Sequence, residues 1–91
     1  MLNFVICDDN PNILDKFSKI LEGIFIKHNY DAQIGLKTTD TDILLDYIYE
    51  NRTDVLFLDI NLKANTSGLE IASKVRERNK NTYFIFTTAH L

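Results

Sequence analysis

The strongest constraint in this sequence is an alternation. Short apolar runs, too brief for helices, are separated by longer stretches whose apolar residues recur every three or four positions. The clearest run is Val55-Leu56-Phe57-Leu58, set between Asp54 and Asp59. Consecutive apolar residues of this kind demand burial on both faces, as in the middle of a parallel sheet. Leu2 to Cys7 reads as a first strand, Asp31 to Leu36 as a second, weaker one, and Tyr83 to Thr88 as a last, buried strand. In the second, Ala32, Ile34 and Leu36 alternate with Gln33 and Gly35, which suits a sheet edge.

The intervening stretches carry helix signals. Asn10-Pro11 supplies an N-cap and a proline at the first helical position, where its missing N–H costs nothing. Leu14, Phe17, Leu21, Ile24 or Phe25, and His28 continue that stripe at helical spacing. Thr39-Asp40-Thr41-Asp42 opens a second helix bearing Ile43, Leu44, Tyr47 and Ile48. Ser67-Gly68-Leu69-Glu70 is a capping box for a third, with Leu69, Ala72 and Val75 on one face. Strands alternating with helices imply right-handed crossovers and a parallel sheet with helices on both faces, an α/β fold.

With 91 residues the chain has room for one domain with a modest core. At 45% hydrophobic and 25% charged residues it is neither disordered nor coiled-coil in composition. Its net charge of −3 leaves no electrostatic footprint for nucleic acid. Lys74, Arg76, Arg78 and Lys80, interleaved with Glu77, read as a solvated helix end. No stretch approaches the ~20 apolar residues of a membrane span. The first residues carry no signal peptide, and a single cysteine, Cys7, at the end of an apolar run reads as core packing in a reducing compartment. A cytoplasmic protein is expected.

Chemistry concentrates in the acidic residues. Ligands of an open parallel sheet bind beyond the carboxyl ends of its strands, where strand order reverses. Asp8 and Asp9 follow the first strand, and Asp59 ends the third. If those strands are neighbours, three carboxylates converge. Two unit charges ~4 Å apart repel by roughly 4 kcal/mol at an effective dielectric near 20. A hard divalent cation with oxygen ligands relieves this, and Mg²⁺ fits because it takes one or two carboxylates and keeps waters. One carboxylate is then a candidate nucleophile, since aspartyl phosphates are established covalent intermediates. Each residue also has a structural reading, as a helix cap or a turn opener; together they favour a site.

Val5-Ile6-Cys7-Asp8-Asp9-Asn10, Leu56-Phe57-Leu58-Asp59-Ile60, Gly68-Leu69-Glu70 and Phe86-Thr87-Thr88-Ala89 resemble the sequence blocks of response regulator receiver domains. The resemblance implies a flavodoxin-like parallel sheet in the 2-1-3-4-5 order. It makes Asp59 the residue that accepts a phosphoryl group from a sensor histidine kinase. Asp8, Asp9 and Asp59, with the backbone carbonyl of Asn61, would hold Mg²⁺. Thr88 would be the switch hydroxyl that engages the phosphate, with Ala89 beside it. The loop from Ile60 to Ser67 looks most like regulators with a LytTR-type DNA-binding output that respond to peptide signals.

The sequence departs from the family pattern in two respects. The proline usual shortly after the acceptor is missing, since the only proline is Pro11. The family's fifth-strand lysine and its fourth and fifth helices find no counterpart before Leu91. The expectation is therefore one truncated receiver domain over residues 1–91, with the output domain outside the chain. Lys63 is weighed as a substitute cation. Without the lysine, a charge-assisted hydrogen bond of ~1.5–3 kcal/mol is lost and phosphorylation is expected to be weak.

The apolar fourth strand is also expected to be an unpaired edge, covered by further chain or by a homodimer or domain-swapped dimer. That supports a different reading, a phosphorylation-independent interaction module. A phosphohydrolase of the haloacid dehalogenase type wants Asp-x-Asp, which Asp59-Ile60-Asn61 lacks. His28 is expected to favour its helix dipole, His90 to be a loop residue near the site, and Tyr47, Tyr49 and Tyr83 to pack.

Overall fold

The structure, a computed structural model, describes residues 1–62 and 67–87. The elements run β1 (Leu2–Cys7), α1 (Pro11–Lys27), β2 (Ala32–Thr38), α2 (Thr41–Glu50), β3 (Val55–Asp59), α3 (Gly68–Arg78) and β4 (Tyr83–Thr87). All strand pairs are parallel, in the order β2-β1-β3-β4. The two expected neighbours, β1 and β3, form the centre of the sheet, and β2 takes an edge.

Each helix begins where the sequence places a cap. The Asn10 side chain accepts from the N–H groups of Asn12 and Ile13, with Pro11 at the first helical position. Asp40 caps α2 by accepting from Asp42 and Ile43, and Ser67 caps α3 by accepting from Glu70. These bonds satisfy N–H groups that a first helical turn leaves without partners. At its other end α1 closes in a Schellman motif. Asn29 N–H donates to Ile26 O, Tyr30 N–H donates to Phe25 O, and Asn29 sits at φ 53°. Asn29→Ala should lower stability by about 1 kcal/mol, because alanine tolerates the left-handed conformation less well than asparagine; urea unfolding measures it.

The sheet separates two cores. On one face Val5, Cys7, Leu56 and Leu58 pack with Leu44, Ile48, Ile71, Ala72 and Val75 of α2 and α3. On the other, Ile6 packs with Leu14, Leu21 and Phe25 of α1, joined by Phe4, Phe17 and Phe57. Phe25, not Ile24, continues the buried stripe of α1, and Ser18 is buried within it. Burial and the nearby carboxylates push the Cys7 thiol up to about 12, so it stays protonated, as a core residue should.

Several expectations are corrected by the packing. Leu69 is exposed, and Ile71 takes its place in the core beside Ala72 and Val75. A capping box fixes where a helix starts but not how its apolar face is rotated. His28 is exposed and stacks on Tyr30 rather than joining the α1 stripe. Only Tyr47 packs into the core. Tyr49 and Tyr83 are exposed, and Tyr49 lies beneath the Arg78 guanidinium. Arg76 covers the Phe84 ring and donates to Lys80 O, so the basic helix end is partly stacked rather than simply solvated.

β2 also departs from its apparent alternation. Phe4 pairs with Ile34 but Val5 with Leu36, leaving Gly35 as a bulge. Ala32 and Ile34 therefore face α1, whereas Leu36 faces the opposite core. A side chain at Gly35 would collide with the Asn3 side chain and the Tyr47 hydroxyl. β4 is not a buried strand either: Tyr83, Ile85 and Phe86 are 68%, 36% and 39% exposed, because β4 pairs with β3 alone among the described residues.

Candidate functional site

The strand order places the ends of β1 and β3 side by side, and the acidic residues follow. Asp8, Asp9 and Asp59 each bring a carboxylate oxygen within 4.8 Å of the others. Asp8 and Asp59 are buried, at 7% and 4% exposure, and Asp9 is half-buried. This density of like charge away from water is unfavourable. Burial first, then Asp59 and Asp9, raise the Asp8 carboxyl above its ordinary value, against an opposing hydrogen bond from the Asn10 N–H.

Local structure aims these groups. Asp8 Oδ1 accepts from the Asn10 N–H at 2.9 Å, which ties the carboxylate to the residue that caps α1. The structural reading of Asp8 as a helix-start residue thus holds alongside its place in the cluster. Asp59 Oδ1 accepts from the Asn61 N–H at 3.0 Å, a turn closed by the side chain of the strand's last residue. Ile60 N–H donates to Thr87 O, and Ile60 O accepts from Gly68 N–H. The backbone on either side of Asp59 is thereby fastened to both β4 and α3.

Gly68 was legible only as part of a motif. Its reason is steric: a Cβ there would run into the Asp59 carbonyl oxygen and stand 2.8 Å from the Ile60 Cα. The signal available in sequence is a glycine at a first helical position, where alanine is the better helix former. An apolar cavity of about 90 Å³ lies next to the carboxylates, lined by Ile6, Leu14, Phe17 and Phe57 with Asp8 and Thr87. Nothing in the sequence pattern marked it. Thr88, Ala89, His90 and Lys63 lie outside the described residues.

The donor set is all oxygen, clustered and partly desolvated, which is the chemistry a hard divalent cation requires. The molecule is thus an open parallel α/β domain of flavodoxin-like topology with an acidic, cation-compatible rim at its central strands. Its residues 4–91 match the sequence profile of the response regulator receiver domain, so the chain belongs to that family of two-component signalling modules.

Relatives and solved structures agree. Over 90 residues the chain is 26% identical to accessory gene regulator protein A of Staphylococcus epidermidis, covering 98% of this chain and 38% of that protein. It is 33% identical over 86 residues to the sensory transduction protein LytR of Staphylococcus saprophyticus, covering 94% of this chain and 32% of that protein. The chain thus spans well under half the length of these relatives. They are in line with the resemblance to LytTR-type regulators. Among solved structures, the response regulator TrrA of Thermotoga maritima in complex with Mg²⁺ and BeF superposes at TM-score 0.81 with 26% identity, covering 99% of this chain and 71% of that one. TrrA bound to the histidine kinase ThkA gives 0.79 with 25% identity over 100% of this chain and 72% of that one.

Proposed function

We propose that this chain is a phospho-acceptor module in which Asp59 receives a phosphoryl group from a sensor histidine kinase, with Mg²⁺, to switch a transcriptional output. The observation that carries this reading is the meeting of Asp8, Asp9 and Asp59 within 4.8 Å at the rim of the central strands. Asp8, Asp9, Asp59 and the Asn61 carbonyl would hold the ion, which supplies charge neutralisation between carboxylates and phosphate. The Mg²⁺ in the TrrA structure and the kinase bound to TrrA support both assignments by kinship.

The Asn61 N–H holds the Asp59 carboxylate in one orientation, and the fastened backbone around it limits its movement. Positioning of this kind supplies most of what phosphoryl transfer asks of a protein. As the bond from phosphorus to the kinase imidazole breaks, one from phosphorus to an Asp59 oxygen forms, and the departing imidazole takes a proton from solvent. Thr88 then engages the phosphate as the switch residue, in a cytoplasmic setting with a DNA-binding output in a larger regulator.

The alternative reading is an interaction module that associates without phosphorylation. Acetyl phosphate separates the two readings. Incubated with Mg²⁺, a version extended through the family's fifth strand should gain a single phosphoryl mass on intact-mass analysis, mapped to Asp59 and abolished by a chelator. Absence of any adduct, with the chain folded and Mg²⁺ bound, would leave only the interaction reading.

A further inference from the structure

We infer that Thr38 is a positioning residue for the ion site, its hydroxyl tying the start of α2 to the main chain of Asp8. This role rests on the reading of Asp8, Asp9 and Asp59 as ligands of Mg²⁺. All its parts lie on the β2 side of the sheet, away from β4.

The two central strands are held differently at their ends. Past Asp59 the backbone is fastened twice, by Ile60 N–H to Thr87 O and by Gly68 N–H to Ile60 O. At the end of β1, Cys7 is the last paired residue, with Thr38 on one side and Leu58 on the other. Asp8 N–H then donates to Thr38 O at 3.2 Å. The main chain of this ligand therefore leans on the final residue of an edge strand. Strand ends open easily unless another contact holds them.

The Thr38 hydroxyl provides that contact. It accepts from the Asp40 N–H at 3.0 Å and lies 3.5 Å from the Asp40 carbonyl, to which it can donate. Thr38 is only 8% exposed, so water does not replace the hydroxyl readily. Asp40 in turn caps α2, its carboxylate accepting from the Asp42 and Ile43 N–H groups. A continuous path of hydrogen bonds thus runs from the first turn of α2 through Asp40 and Thr38 to Asp8. The Asp8 carboxylate is fixed separately, by the Asn10 N–H at the start of α1. One ligand takes its main-chain position from α2 and its side-chain direction from α1.

Valine at position 38 keeps the branched shape that suits a strand and removes only the hydroxyl. Asp8 would hold the ion without being the acceptor, so affinity and rate should separate. Outer partners of a metal ligand are worth ~10–100-fold in affinity, and Thr38→Val should weaken Mg²⁺ binding by about tenfold. An NMR titration with Mg²⁺ alone reads this, and the Asp8 amide should exchange its hydrogen faster. Thr38→Ser should restore both. Ile48→Val, which thins the core beneath α2 without touching the turn, should change neither. In the version extended through the fifth strand, Thr38→Val should regain the native rate of labelling by acetyl phosphate at saturating Mg²⁺. Gly68→Ala, acting on Asp59, should stay slow there.

The native chain supplies a measurement that needs no variant: without Mg²⁺, the Asp8 and Asp40 amides should open together in hydrogen exchange. A folded Thr38→Val chain that binds Mg²⁺ as tightly as the native one would overturn the positioning role. So would a loss that serine does not restore, or an Asp40 amide that exchanges freely while Asp8 stays protected. A native chain that takes up no Mg²⁺ would overturn the ion site itself, and the role of Thr38 with it.

Discussion

Asp59→Asn should abolish the phosphoryl adduct completely while making the ion-free protein more stable. The variant keeps an oxygen that can accept from the Asn61 N–H, so the local turn survives. It removes one of three crowded charges, and one of the causes that raise Asp8. Relief on the order of 1 kcal/mol is expected, less than the ~4 kcal/mol of two full charges at an effective dielectric near 20, because solvent at the rim screens them. That corresponds to a rise of roughly 4–8 °C in Tm for a domain of this size. Mg²⁺, which should raise the Tm of the native chain, should raise that of the variant less.

The pH dependence carries the same sign. Asp8 binds its proton more tightly folded than unfolded, so its contribution to stability is full below its ordinary value of 3.8 and is lost as pH rises through the raised folded pKa. In Asp59→Asn this loss should be shallower. Scanning calorimetry from acid to neutral pH without divalent ions measures both effects. A variant no more stable than the native chain, with an unchanged pH profile, would count against crowding at the rim.

Gly68→Ala should do the opposite, lowering stability without touching a charge. Helix propensity alone favours alanine by up to about 1 kcal/mol. The contact reverses that sign, because the new Cβ meets the Asp59 carbonyl oxygen and the Ile60 Cα, both main-chain atoms that no rotamer can move. Overpacking of this kind costs about 1–3 kcal/mol, which is roughly 5–20 °C in Tm. Because the displaced atoms belong to Asp59 and to Ile60 beside it, phosphorylation at the proposed acceptor by acetyl phosphate should slow in step. An alanine variant as stable and as reactive as the native chain would show that α3 does not position Asp59.

The order of elements, the caps at Asn10, Asp40 and Ser67, and the meeting of Asp8 with Asp59 were legible because they depend on local patterns and on one topological rule. What escaped depends on contacts between elements. Leu69 and Ile71 are both apolar and two positions apart, so only the facing sheet decides which is buried. The alternation of Ala32, Ile34 and Leu36 was real in sequence yet did not mark one face, since Gly35 shifts its phase. Four apolar residues in β4 imitate those of β3, but burial requires a neighbour on each side, and among the described residues β4 has only β3. The tether from Asn10 to Asp8 was half legible, since a helix-start role for Asp8 was expected but its bond to the Asn10 N–H was not.

The bulge at Gly35 also makes the two margins of the sheet unequal. The outer one is kinked there and carries Lys37 in contact with Asp15, so it offers a second molecule no straight template. Strand addition along β2 is thereby disfavoured, and that margin remains a terminus of the sheet.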